Sequence, residues 1–361
     1  MTDMMTLPDP RVIPLVAPNK ICDALQSGAD EQLRESLLSV FEAGDQALLN
    51  AALSGSTPAQ ARRLVNAMAS AIDRRGAGVS LRWFAIPLIM VAGASKACAL
   101  DGIVPDIEAV STLLAEHGAV GATRNFGLGN ALCSEQALQS ISAVDLWSAG
   151  EAGQQRNLAE HCSPESIAIA GKREQVHLRF LVGAGVTPEH LPSFLESASN
   201  IGTWGMPLTK ALAAQLAQPG LEVLALARPP QPVIKAAYAG RSAQLEAALS
   251  LFLGNNVRRF RLSVGDPEAV LSAHQLPGGA GELRLSLSSP FDESLFEGFS
   301  WPLHLMDEVA EVSAIMTSAL AECRITHVTV LPQMLPERLP NGSAFIAGRM
   351  LERLPQSVVK H

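Results

Sequence analysis

The chain has 361 residues, of which 48% are apolar and 17% are charged, and its formal net charge is −8. This composition excludes a largely disordered chain, because it supplies enough apolar side chains to build cores of ordinary size. The acidic balance and the aromatic content of only 4% argue against nucleic-acid binding through a basic surface or stacked rings. The length predicts two or three domains.

The cysteines indicate the cellular compartment of the protein, and the basic residues indicate the kind of genome that encodes it. The five cysteines are widely scattered, and none has the spacing of a zinc site or a redox motif. We therefore expect free, mostly buried thiols in a reducing compartment. The first twenty residues lack the basic start and apolar core of a signal peptide, which favours a cytoplasmic protein. Arginine dominates over the six lysines, which is typical of a GC-rich bacterial genome.

The first half of the chain predicts an all-helical domain. Residues 1–20 are rich in proline and lack periodicity, and we interpret them as a loose arm. From Asp30 to about Trp147, apolar residues recur at three- and four-residue spacing, and we predict a helical domain over 21–160. Within this range, Thr57 and Pro58 have the pattern of a helix cap followed by a first helical residue.

One apolar stretch, WFAIPLIMVAGASKACAL from Trp83 to Leu100, has to be compared with a transmembrane helix. Its continuous part is about half the length that spans a bilayer, and Pro87 and Lys96 interrupt the stretch. We therefore expect a buried helix of the helical domain and no membrane span.

From about residue 165, short runs that alternate apolar and polar residues predict strands. From residue 221 the predicted order is strand, helix, three strands, helix and strand, which resembles a ferredoxin-like split βαβ unit with one additional strand. The fold class is therefore α+β, with the helical domain followed by an α/β sandwich over 161–335. This domain is either undivided or split into 165–228 and 229–335, and a proline-rich tail follows over 336–361. The predicted strands are QVHLRFLV, LEVLALA, VRRFRLSV, ELRLSLS, LFEGFSW and THVTVLP.

The stretch VHLRFLVGAGVTPEHL raises the question of a phosphate-binding loop. Its apolar run breaks at Gly183-Ala184-Gly185 and restarts at Thr187-Pro188-Glu189, as in a strand, a turn and a capped helix. A dinucleotide-binding motif needs a small residue where this chain has Pro188, and no phosphate-binding lysine follows. We interpret the stretch as a turn with a capped helix. The similar sequence at 261–271 indicates either an internal duplication or the same helix-start rule used twice.

The sequence contains no recognisable catalytic or metal-binding set, such as GxSxG, SxxK or HExxH. Six of the histidines are dispersed singly, and the acidic residues at the start of the last predicted helix suit the helix dipole. We expect no cofactor and no metal. The sequence favours a protein without catalytic activity.

One predicted surface is a candidate binding site. Alternate residues of a strand share a face, which groups His177 with Arg179 on one predicted strand, Arg259 with Arg261 on another, and leaves Arg284 on a third. If these strands are neighbours, one sheet face carries all five residues, and guanidinium groups suit phosphate or carboxylate. The alternative is a solvated face whose charges are balanced by nearby acids.

Three segments carry a resemblance to a known family: LRWFAIPLIM (81–90), GELRLSLSSPFDESLFEGFSWPLHLMDE (281–308) and CRITHVTVLPQMLPERLPNGSAF (323–345). On these segments the chain resembles a family of uncharacterised bacterial proteins known only as a domain of unknown function. A member is expected to carry a cysteine pair before a Gly-Ala-Pro-Leu-like turn near the C-terminus, where this chain has RLPNGSAF. The resemblance therefore implies no metal or redox role for that segment, and it implies no activity.

Two functions from different classes remain. The missing catalytic set, the high apolar content and the two-part layout favour a non-catalytic cytoplasmic protein that binds a protein partner or copies of itself. The alternative is an enzyme or sensor that binds a small anionic metabolite on the arginine-bearing face. Nucleic acid is not an expected partner.

Overall fold

The computed structural model divides into two compact units. The N-terminal unit comprises Val16–Ser56 and Gln60–Gln244, and the C-terminal unit comprises Met1–Leu15, Thr57–Ala59 and Leu245–His361. The boundary predicted at residue 160 and the tail predicted over 336–361 lie outside the described residues. The structure describes residues 7–11, 19–73, 79–94, 98–100, 102–120, 126–152, 167–169, 175–188, 200–216, 221–276, 279–289, 291–292 and 295–331.

The helices of the N-terminal unit follow the usual capping rules. In α1 (Lys20–Ser27), the Asn19 side chain accepts a hydrogen bond from the Cys22 N–H at 2.9 Å, and Gly28 ends the helix in the left-handed region at φ 75°. The helix start predicted at Pro58 is confirmed. The other helices are α2 (Asp30–Ala43), α3 (Gln46–Ser54), α4 (Pro58–Asp73), α5 (Ile107–Glu116), α6 (Glu135–Gln139), α7 (Ala143–Ala152), α8 (Ile201–Leu216) and α9 (Val233–Ser263), which continues into the C-terminal unit.

A five-stranded antiparallel sheet forms the centre of the N-terminal unit. Its order is β3-β5-β1-β6, and β7 also pairs with β1. Alternate residues of β1 pack with α5 and α8 in one buried cluster, which includes Phe84, Leu88, Leu114, Trp204 and Leu208. The strands are β1 (Val79–Ala94), β3 (Phe126–Cys133), β5 (Gln175–Pro188), β6 (Leu221–Ala227) and β7 (Gln231–Pro232), and a separate pair joins β2 (Cys98–Leu100) to β4 (Ile167–Ile169).

The strand β1 contradicts the prediction of an all-helical domain over 21–160 and of a buried helix over Trp83–Leu100. Every side chain from Trp83 to Met90 is buried, so both faces of this strand are covered. A strand buried on both faces loses its alternation, and its apolar run then has the same appearance as a buried helix. Separately, no helix among the described residues is long and apolar enough to cross a membrane.

Strand β5 runs straight through Gly183-Ala184-Gly185 to Pro188, so the predicted turn and the predicted helix start at Thr187-Pro188 are wrong. The rest of the predicted helix lies outside the described residues. Packing explains the glycine at position 183. A Cβ there would overlap the Phe84 ring and would lie 2.8 Å from Leu128 Cδ2. Glycine in the interior of a strand is a recognised sign of close approach by another group, not only of a turn.

The C-terminal unit contains a four-stranded sheet in the order β10-β9-β8-β11. The pairs are antiparallel except β8 with β11, which is parallel. One face carries the core, which includes residues of α9 and α10 and also Leu7 from the N-terminal arm. The Arg11 guanidinium donates to the His304 carbonyl at 2.9 Å, so residues 7–11 of the predicted loose arm are packed. The elements are β8 (Glu268–Gln275), β9 (Gly281–Ser288), β10 (Phe296–Pro302), α10 (Val309–Glu322) and β11 (Val328–Val330).

The predicted strand VRRFRLSV (257–264) is wrong, because residues 257–263 are the end of α9. The buried residues Leu249, Leu253, Val257 and Phe260 recur at helical spacing, and this longer pattern decides the structure. The strand that follows this helix is β8. Apart from the two-residue β7, the order predicted from residue 221 therefore holds, with β8 in place of the strand predicted at 257–264.

The α+β class is confirmed, and its finer description is corrected in two respects. A ferredoxin-like unit needs the strand at 221–227 in the same sheet as the next three, but β6 pairs with β1 in the N-terminal unit. The proposed duplication also fails, since 179–188 is strand whereas 261–271 contains the end of α9 and the start of β8.

We expect Gly183→Ala to destabilise the protein by about 1–3 kcal/mol, because the new methyl group overlaps the Phe84 ring in a packed core. The matched control is Gly254→Ala in α9, where no described residue outside the adjoining helix backbone lies within 4 Å of the new methyl group. It should stabilise by up to about 1 kcal/mol through helix propensity. Urea unfolding of both variants measures the difference, and an unchanged midpoint for Gly183→Ala would refute the packing argument.

Candidate interaction site

The structure distributes the five predicted site residues over three elements. His177 and Arg179 lie on β5 in the N-terminal unit, Arg284 lies on β9 in the C-terminal unit, and Arg259 and Arg261 lie on α9. They therefore do not share one sheet face, and the geometric premise of the predicted site is wrong. There are two causes: the predicted strand at 257–264 is helical, and β5 and β9 belong to different sheets.

His177 and Arg179 are brought together as predicted. In the β1–β5 register they lie opposite Met90 and Leu88, so both project from the sheet face that carries the core of the N-terminal unit. Burial lowers the pKa of His177, and the positive charge of Arg179 lowers it further. The buried Nε2 atom of His177 has no hydrogen-bond partner in the part of the chain that the structure describes.

The other three arginines are neutralised by acids within the chain. Arg261 Nε lies 2.6 Å from Asp266 Oδ1, and its Nη2 donates to the Cys323 carbonyl at 2.8 Å. Arg284 Nε lies 2.9 Å from Glu282 Oε1. These pairs match the alternative of a face balanced by nearby acids.

The third pair joins Arg259 of α9 to strand β10. Its Nη2 lies 2.6 Å from Oε1 of Glu297, whose side chain is only 10% exposed. The neighbouring Phe299 packs against Phe252 of α9 with ring centroids 5.5 Å apart. Glu297 and Phe299 therefore project towards the helix, and both contacts hold β10 against α9.

Two hydrogen bonds beyond the ends of β10 determine which of its backbone groups face β9. The Leu303 N–H donates to the Gly281 carbonyl at 2.8 Å, and the Ser289 N–H donates to the Leu295 carbonyl at 3.3 Å. Antiparallel ladders alternate between residues that bond to the neighbouring strand and residues that do not. Residues 297, 299 and 301 therefore bond to β9, and the N–H and C=O groups of Phe296, Gly298 and Ser300 point to the open side of the sheet. We name these outward groups the β10 edge.

The β10 edge is accessible. Within the described part of the chain, strand β10 is the terminal strand of its sheet, and both Gly298 and Ser300 are exposed. Of the described residues beyond its chain neighbours, only the Phe296 ring would lie within 4 Å of a Cβ placed on Gly298, at 3.8 Å. Among the described residues, no other segment accepts or donates a backbone hydrogen bond at Gly298 or Ser300.

The sequence analysis predicted β10 as a strand but did not identify it as an edge. Two residues carried that signal. Pro302 cannot donate a hydrogen bond and is confined to edges or strand ends, and Gly298 inside a strand marks a place where another backbone approaches.

A buried hydroxyl–imidazole contact lies on the neighbouring strand β8. Ser272 Oγ is 2.9 Å from His274 Nε2, and both residues are 0% exposed. His274 lies opposite Glu282 on β9. Because neither Ser272 nor His274 is accessible to a substrate in this structure, we assign the contact a structural role.

Comparison with protein-family models, with curated proteins and with solved structures finds no match for this chain. The resemblance described above therefore stays a prediction. Within the described ranges, no group of three or more His, Cys, Asp and Glu residues is arranged to hold a metal ion. Cys22, Cys133 and Cys323 form no disulfide within the described residues, and the first two are buried as expected.

The lowered pKa of His177 predicts a pH dependence of stability. Its pKa in the unfolded chain is near 6.5, so below this pH the unfolded chain takes up a proton that the folded chain binds more weakly. The free energy of unfolding should fall as the pH decreases from 6.5 towards the folded pKa, and His177→Gln should show a smaller fall. Urea titrations at several pH values measure this, with His327→Gln at an exposed position as the control. Equal pH dependence in wild type and His177→Gln would contradict the assignment.

Proposed function

We propose that the protein is a non-catalytic cytoplasmic interaction protein whose β10 edge accepts a strand from a polypeptide partner. The supporting observation is the pair of outward, accessible backbone positions at Gly298 and Ser300. An edge strand with unpaired N–H and C=O groups is a template for strand addition, and the main-chain hydrogen bonds provide the affinity.

The chemistry of the strand agrees with this proposal. Proteins usually protect an edge strand with lysine, a bulge or a covering segment. The residues at positions 296, 298, 300 and 302, whose backbone groups point outward, carry no charged side chain. The one charged residue of the strand, Glu297, is bound by Arg259 on the other face of the sheet. Pro302 limits the pairing at one end, because it has no N–H.

Photo-crosslinking tests the proposal. Benzoylphenylalanine in place of Ser300 should give discrete adducts with a second polypeptide in cell extract and in purified protein, because the partner strand passes beside this position. The control places the same group at Met206, an apolar side chain of the N-terminal unit that is 71% exposed. Mass spectrometry should map the adducts at position 300 to one extended segment. No adduct, or equal yields at both positions, would contradict the proposal.

The second candidate function is binding of a small anion at His177 and Arg179. One observation favours it: the two basic side chains adjoin on a largely buried sheet face, where Arg179 opposes protonation of His177. A phosphate or carboxylate placed between them would relieve this repulsion and raise the pKa of His177. Binding would therefore be coupled to proton uptake and would strengthen as the pH falls towards the lowered pKa of His177 in the free protein.

A thermal-shift series with inorganic phosphate and small carboxylates tests this second function. A ligand at one hundred times its Kd stabilises by about 2.7 kcal/mol, which gives a clear rise in the midpoint. Arg179→Gln should abolish the rise, and Arg261→Gln, an exposed arginine of the C-terminal unit, should retain it. A rise that persists in Arg179→Gln would place the ligand elsewhere.

A further inference from the structure

We propose that the strand added at the β10 edge is β10 of a second copy of this chain, paired antiparallel about a two-fold axis at Gly298. This inference rests on the proposed function and names its partner. Such an interface is isologous, because the same surface is used by both copies.

The hydrogen-bonding pattern selects this register. Phe296, Gly298 and Ser300 each direct an N–H and a C=O outward. When Gly298 lies opposite Gly298 of the second copy, Phe296 lies opposite Ser300, and each opposed pair exchanges two hydrogen bonds. A register centred on Phe299 would instead place Phe296 opposite Pro302, which has no N–H. The Gly298 register satisfies the outward N–H and C=O groups of Phe296, Gly298 and Ser300.

The side chains suit the same register. Directly opposed Cβ atoms of an antiparallel pair lie about 4.5–5.5 Å apart, so their sizes and charges decide whether the pair is tolerated. At the axis two glycines meet without side chains. On either side the half-buried Phe296 ring lies opposite Ser300, which is small and exposed.

Charge also permits a strand to pair with its own copy. Pairing of β10 with its own copy places the same residues close together. A charged side chain at the β10 edge would therefore lie near the same charge of the second copy. Positions 296, 298, 300 and 302 carry no charge. The nearest cation on the same face, Arg284 opposite Ser300 on β9, is neutralised by Glu282 at 2.9 Å.

The expected product is a continuous eight-stranded sheet made of two four-stranded sheets, which is within the usual size of open sheets. Because β10 spans only Phe296–Pro302, the pairing is short. We therefore expect a dimer that dissociates on dilution.

Two substitutions at one position test the inference. Ser300→Pro removes an outward N–H from each copy without removing a hydrogen bond to β9, and Pro302 already occupies an equivalent outward position. Ser300→Ala keeps the N–H and is the matched control. Sedimentation velocity over a concentration series should show wild type and Ser300→Ala approaching twice the 38.1 kDa of one chain. Ser300→Pro should weaken dimerisation by about tenfold or more.

A disulfide test examines the register independently of proline. Gly298→Cys faces its own copy in the proposed register, and opposed Cα atoms about 5.5 Å apart can be bridged. Under mild oxidation Gly298→Cys should form covalent dimers, and Ser300→Cys should form fewer. Wild type, with its five cysteines, gives the background.

The outcomes separate this inference from the proposed function. A wild-type chain that is monomeric at all concentrations, or a Ser300→Pro variant that dimerises as well as wild type while retaining its circular dichroism spectrum, would overturn self-pairing. If position 300 then crosslinks to a different polypeptide, the strand-addition function stands with another partner. If position 300 gives no adduct, both fail.

Discussion

The antiparallel ladder between β9 and β10 determines which groups of the C-terminal sheet are available to a partner. The bonds from Leu303 to Gly281 and from Ser289 to Leu295 set the alternation at its two ends. A shift of one residue would direct the side chains of Glu297 and Phe299 to the opposite face and would separate them from α9. The contacts that seat β10 on the helix therefore also fix the outward direction of the Gly298 and Ser300 backbone.

Charge has different roles in the two units. In the C-terminal unit, Arg259, Arg261 and Arg284 each bond to a carboxylate of the same chain, so they join elements or balance a surface. The exposed pair of Arg261 with Asp266 contributes little stability, but all three pairs balance arginine charges of the C-terminal unit. In the N-terminal unit, the positive charge of Arg179 raises the free-energy cost of protonating His177.

Much of the fold is predictable from the sequence where a pattern has one physical cause. The alternation in ELRLSLS places Leu283, Leu285 and Leu287 in the core, and the strand β9 confirms it. Prediction fails where two structures share a pattern. The run in β1 is apolar on both faces, and VRRFRLSV fits a short strand until the buried spacing from Leu249 is included.

The candidate site was less predictable for a related reason. Alternation identifies the face of a strand but does not identify its neighbours, and the predicted arginine face depended on the neighbours of three strands. The pairing of His177 with Arg179 needed only one strand and is confirmed. The open edge depends on sheet order, which the chain encodes weakly through Gly298 and Pro302.

The most direct test of the account is amide hydrogen exchange along β10 as a function of protein concentration. The ladder predicts that the Phe299 and Trp301 amides exchange slowly at every concentration, because both bond to β9. The Gly298 and Ser300 amides should exchange rapidly in dilute protein and become protected as the concentration rises. Protection of Gly298 and Ser300 in dilute protein would mean that the chain covers its own edge, and rapid exchange at all concentrations would mean that no second copy pairs with it.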